Sequence, residues 1–208
     1  MNPLAERFTA LWASAKLRDA AAVFARLKEA HSEPARAYHN LSHIEHMLGE
    51  FDAQRALADW PEAVHLAIWF HDAVYDSRAK DNEDRSAALA HQLLLNAGAH
   101  TRLISAVELL ILATRHQQPP HTRDEQLLVD CDLAILGQPT ERFDAYEVAI
   151  RKEYAWVPEA DYRAGRTKVL KQFQARNAIY ALPAFRNRYE ATARENLRRS
   201  IAKLNAGA

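Results

Sequence analysis

The sequence predicts an all-α protein, and three observations carry that reading. Only five glycines and eight prolines occur in 208 residues. No segment sustains the period-two alternation of a half-buried strand. Apolar stretches of helical period follow one another, each bounded by a cap-type residue, a glycine or a proline. Counting caps and breakers gives one domain over residues 1–208, a single helical bundle of about nine or ten helices. The N-terminal 35 residues suggest two short helices. "RAYHNLSHIEHM" (36–47) reads as the next. "PEAVHLAIWFHDAVY" opens on Pro61, a good first-turn residue, and stays apolar from Val64 to Val74. "NEDRSAALAHQLLLNAG" starts on a cap-like Asn82 and stops at Gly98. "TRLISAVELLILATRHQ" begins at Thr101 and ends before Pro119 and Pro120. "TRDEQLLVDCDLAILG" runs to Gly137, "TERFDAYEVAIRKEYAWV" reaches Pro158, and two long amphipathic stretches follow. There is no internal repeat or low-complexity linker.

Composition excludes several classes of function. Twenty-seven basic and 27 acidic residues cancel, so no whole-protein field attracts nucleic acid or an acidic membrane. The start "MNPLAERFTALW" has no basic region followed by an apolar run, so no signal peptide is expected. Apolar runs fall short of a membrane span. A lone cysteine, Cys131, allows no intrachain disulfide and suits a reducing compartment. The expectation is a cytoplasmic protein with no membrane and no nucleic-acid partner; the oligomeric state is not legible.

Chemistry concentrates in a few polar residues set among apolar ones. His39, His43 and His46 would project within roughly 60° of one another on a helix. "WFHDAVYD" puts His71 beside Asp72 at the end of a strongly apolar helix, and "LLVDCDLAIL" puts Asp130 and Asp132 inside another. A buried imidazole or carboxylate without a strong partner costs several kcal/mol. Ion pairing with arginines or helix capping would satisfy the aspartates. Two imidazoles with two carboxylates would instead form an N₂O₂ set suited to a borderline divalent cation.

The order His43, His71-Asp72, Asp132 resembles the HD superfamily of metal-dependent phosphohydrolases, over a core of about residues 36–137. The phrases "YHNLSHI", "NEDRSA", "RKEYAWV" and "GRTKVLKQF" resemble a bacterial subfamily of predicted HD phosphohydrolases. The resemblance implies a bundle of the HD and phosphodiesterase type, with helices over 139–206 packing on the metal-site core. It implies His43, His71, Asp72 and Asp132 as ligands of a divalent transition metal (Mn, Fe, Co, Ni or Zn). "YHNLSH" is also similar to the Tyr-His-Asn-x-x-His element of class I cyclic-nucleotide phosphodiesterases. There the second histidine binds metal and the first is the general acid, which assigns His43 and His39 those roles; His46 has no counterpart. "HDAVYDSRAK" lacks the further metal-site segment of those enzymes, and no purine-clamping glutamine element follows. Cyclic-nucleotide hydrolysis is therefore not implied, and the substrate is expected to be small, phosphorylated and nucleotide-like.

The implied reaction is hydrolysis of a phosphoester or phosphoanhydride by metal-activated water, with His39 protonating the leaving oxygen. Lys80, with Arg78 and Arg85 beside it, could meet a phosphate, or be a solvated charge. Glu83 could orient the water, or complement the helix dipole. His116 could serve a second metal ion, or cap a helix end; His121 is a weaker candidate. Arg151, Tyr154 and Arg166 could close the pocket, whereas Trp69 and Phe70 read as core. The competing readings are a catalytically silent metal- or nucleotide-binding module, and a di-iron HD oxygenase drawing extra ligands from His116 and Asp76.

Overall fold

Ten α-helices and two short 3-10 turns carry the described residues, 3–206, of the computed structural model, with no strand among them. They cluster into two compact units that divide between Cys131 and Asp132, inside one helix. The first contains α1 (Pro3–Ser14), α2 (Ala20–Ala30), α3 (Leu41–Gln54), α4 (Pro61–Phe70), α5 (Asn82–Asn96), α6 (Thr101–Ala113) and most of α7 (Arg123–Leu133). The second holds the end of α7, then α8 (Thr140–Glu153), α9 (Glu159–Gln174) and α10 (Pro183–Ala206).

Helix α4 organises the first unit. Every residue from Ala63 to Phe70 is buried, the pattern of a helix enclosed on all sides, and α1, α3, α5 and α6 pack around it. Phe8 of α1 meets Trp69 edge to face, with centroids 5.2 Å apart. Burying each large apolar side chain contributes about 1.5–3 kcal/mol. Asp124, in the first turn of α7, accepts hydrogen bonds from the amides of Asp59 (2.7 Å) and Trp60 (3.0 Å), tying that helix to the entry of α4.

The helix expected to reach Val74 ends at Phe70. His71 is its C-cap, its amide bonded to the Ala67 carbonyl at 2.9 Å. Beyond it, other partners replace the helical ladder. Arg36 takes the carbonyls of Asp72 and Ala73, and the Ser86 hydroxyl accepts from the Val74 amide at 3.0 Å. Asn82 does not cap α5. Its side chain accepts from the Asp76 amide (3.0 Å) and donates to the Asp76 carbonyl (2.9 Å), closing the connecting loop. The end of α5 is as expected: Gly98 sits at φ 89°, with Gly98 N bonded to Leu95 O and Ala99 N to Leu94 O. That paired closure needs a left-handed residue, and glycine adopts it without strain.

Helix α7 opens on a reciprocal cap. The Thr122 hydroxyl accepts from the Glu125 amide at 3.1 Å, and the Glu125 carboxylate accepts from the Thr122 amide at 3.2 Å. It ends at Leu133 instead of Gly137, because Ala134–Gly137 tightens into a 3-10 turn. In the second unit, α10 packs on that turn and on α9. A Cβ at Gly137 would lie 2.4 Å from the Tyr189 Cβ, so only glycine permits the approach. Asn196 donates to the carbonyls of Leu136 (2.9 Å) and Gln138 (2.8 Å), locking α10 to the turn. Among the described residues, no helix is long and apolar enough to cross a membrane.

Candidate metal centre

The first histidine helix begins later than its spacing suggests. Asn40 is the N-cap of α3, and its side-chain oxygen accepts from the Ser42 amide at 2.9 Å and the Ser42 hydroxyl at 2.7 Å. His39 therefore lies outside the helix, and the three histidines do not share one helical strip. Its imidazole still comes within 6.1 Å of His43, centroid to centroid, and stacks on Tyr75 at 4.1 Å and 25°. His43, in the first turn of α3, is buried. His46 faces Glu50 at 3.5 Å, each side chain only 9% exposed, so it is an interior contact of α3, not a wet surface group.

At the carboxyl end of α4, His71 turns its Nε2 toward His43 Nε2, 3.2 Å away. The Asp72 carboxylate lies 2.9 Å from His71 Nε2 and 3.8 Å from His43 Nε2. All three separations are shorter than twice the bond length of about 2 Å that transition metals make to imidazole and carboxylate, so one ion could be shared by the three atoms. His71 Nδ1 lies 3.0 Å from the Ile68 carbonyl. Donation there places the proton on Nδ1 and leaves the Nε2 lone pair for a ligand. Helix α7 adds Asp132: one ligand atom each from His43, His71 and Asp132 fall within 4.8 Å of one another, the two histidines buried and the aspartate partly so. Two imidazole nitrogens with carboxylate oxygens form a donor set that fits a borderline divalent ion.

The electrostatics favour an ionised carboxylate here. Burial pushes the Asp72 carboxyl upward, but the neighbouring His71, His39 and His43 outweigh it and hold the group well below the usual carboxylate range. Two other histidines of this unit are held neutral. Burial lowers His31 to about 4, against the pull of the Trp69 carbonyl beside it. Burial, then Arg7 and Arg55, lower His65 to about 3.

The other candidates lie as follows. Lys80 is exposed on the loop before α5, and Glu83 is partly buried in the first turn of that helix. Arg78 and Arg85 are exposed. His116 follows α6 at a left-handed φ of 56°, and His121 is exposed. Arg151 is a staple of the α8–α9 connection: it donates to the Tyr154 carbonyl (2.6 Å) and the Val157 carbonyl (3.2 Å) and pairs with Glu159. Arg166 belongs to a partly buried network with Glu147 and the Tyr146 hydroxyl. Burial raises the Tyr146 phenol, Arg166 opposes that, and Glu147 and Asp132 add to the rise. Trp69 and Phe70 are core, as expected.

The residue that the sequence did not single out is Arg36. Its guanidinium donates to the His39 carbonyl (3.3 Å), the Asp72 carbonyl (2.5 Å) and the Ala73 carbonyl (3.3 Å). An arginine three residues before a histidine motif carries no signal in sequence, since its partners lie 36 and 37 residues away. Comparison with protein-family models, curated proteins and solved structures finds no match to this chain. The class that the fold and the site define is accordingly an all-helical protein with a buried His/His/Asp group able to hold a metal ion.

Proposed function

We propose that this protein is a metal-dependent phosphohydrolase of the HD type, folded as one domain over residues 1–208, cleaving a phosphoester or phosphoanhydride of a small nucleotide-like substrate. One observation carries the reading: the Nε2 atoms of His43 and His71 lie 3.2 Å apart with the Asp72 carboxylate 2.9 Å from the second, and Asp132 joins the two histidines from a third helix. A divalent transition ion held by His43, His71, Asp72 and Asp132 would supply Lewis acidity toward the phosphoryl group and an acidic water at neutral pH.

The chain's own residues supply the rest. His71 keeps its donor nitrogen aimed because its other nitrogen is engaged by Ile68. His39, set beside His43 and backed by the Tyr75 ring, carries the proton for the leaving oxygen. We assign Glu83 to water orientation and Lys80 to phosphate attraction, as groups on the segment that follows Asp72. The balanced charge and lone thiol support a cytoplasmic enzyme acting on small molecules.

The test is phosphate release from a panel of nucleotides, dinucleotides, pyrophosphate and sugar phosphates, after chelation and add-back of each metal. His39→Ala should keep its metal and lose about 10²–10⁴-fold on esters with poor leaving groups. The loss on a nitrophenyl ester should be distinctly smaller, because that leaving group needs no proton. Equal losses on both would remove the acid role from His39. A wild type that hydrolyses nothing yet binds a nucleotide tightly would replace the enzyme with a regulatory module.

A further inference from the structure

Two irregular segments deliver the centre. Residues 37–40 precede α3 as a run of bends, and residues 71–74 follow α4 as a turn and then a bend. No helical ladder sets one against the other. Arg36 joins them. Its side chain is only 1% exposed, with Nε on Glu33 Oε2 at 3.1 Å. One terminal nitrogen donates to both the His39 and the Asp72 carbonyls, and the other to Ala73. Its Cζ stands 5.6 Å from the centre of the Tyr75 ring, the same ring that stacks on His39.

We propose that Arg36 is a positioning residue of the metal centre, its planar fork fixing the segment that carries His39 against the segment that carries His71 and Asp72. The proposal rests on reading the His43–His71–Asp72 convergence as a metal site. A fork is needed because three carbonyls on two segments must be met at once by two nitrogens of one rigid group. A lysine keeps the charge but offers a single point donor without that plane. Groups that orient metal ligands from behind typically set affinity by about 10–100-fold.

The experiment uses the full chain stripped of metal, titrated with Co²⁺ against a chromophoric chelator, with thermal melting of the metal-free protein alongside. Arg36→Lys should weaken Co²⁺ binding by about 10–100-fold. Glu33→Ala removes only the acceptor facing the Nε of the fork, on a side chain 51% exposed. It should weaken binding less, in the same direction, and leave the metal-free melting temperature unchanged. Wild-type Co²⁺ affinity in both variants, with any change confined to melting, would make Arg36 a structural strut and overturn the proposal. If Arg36→Lys does not fold, Glu33→Ala decides by the same criterion. A wild type that binds no Co²⁺ would remove the centre itself, and the positioning role with it.

Discussion

Acid should destabilise this protein through two buried histidines, and His65 isolates the effect. It lies in the middle of α4, 5% exposed, packed against Phe51 at 5.4 Å, with no hydrogen-bond partner for its Nε2. Burial lowers it from 6.5 to about 3. The folded pKa lies below the unfolded one, so the stability it preserves is present above pH 6.5 and is lost as pH falls toward 3. Between pH 7 and pH 5 the unfolded chain gains the proton and the folded chain does not, a loss of about 2 kcal/mol. His31, lowered to about 4, adds about 2 kcal/mol over the same interval. Urea unfolding of chelator-treated protein should therefore show a loss of about 4 kcal/mol from pH 7 to pH 5. His65→Leu should halve that loss, with little change at pH 7, because the leucine removes a polar atom that has no partner. Equal pH dependence in wild type and variant would refute the argument.

Three further outcomes follow from the packing. Asn40→Ala removes the α3 cap and should cost about 1 kcal/mol by urea unfolding; it should also lower hydrolysis more than Co²⁺ binding, since His39 lies just before the cap. Gly137→Ala puts a Cβ 2.4 Å from the Tyr189 Cβ and should cost about 1–3 kcal/mol; unchanged stability in denaturant would show that α10 shifts freely. Phe70→Ala should cost about 3–5 kcal/mol, as for other fully buried aromatic side chains, and a loss below 1 kcal/mol would contradict the enclosed position of α4.

Most of the helices were legible because their boundaries are written locally. Pro61 opens α4, and Gly98 closes α5 in the one conformation that its neighbours leave to it. The start of α3 is also written, in Asn40 and Ser42, although the helical spacing of the histidines runs on across the cap. The end of α4 was not. Val74 continues the apolar run, and what stops the helix is Arg36 and Ser86 claiming its backbone from distant positions. In the same way, residue type and apolar setting mark out the candidate histidines and aspartates, while the choice of His43 and Asp132 among them is what the family resemblance implies. The arginine behind them could not be found, because its role exists only through backbone carbonyls, which any residue could supply.

Metal content tests the central claim most directly. Purified wild-type protein, analysed by elemental mass spectrometry, should hold close to one transition ion per chain, and chelation should lower its melting temperature, because an ion that binds only the folded state stabilises it. His43→Ala and His71→Ala should each lose most of that ion, since each removes one of two nitrogens set 3.2 Å apart. Undiminished metal content in both variants would contradict the account.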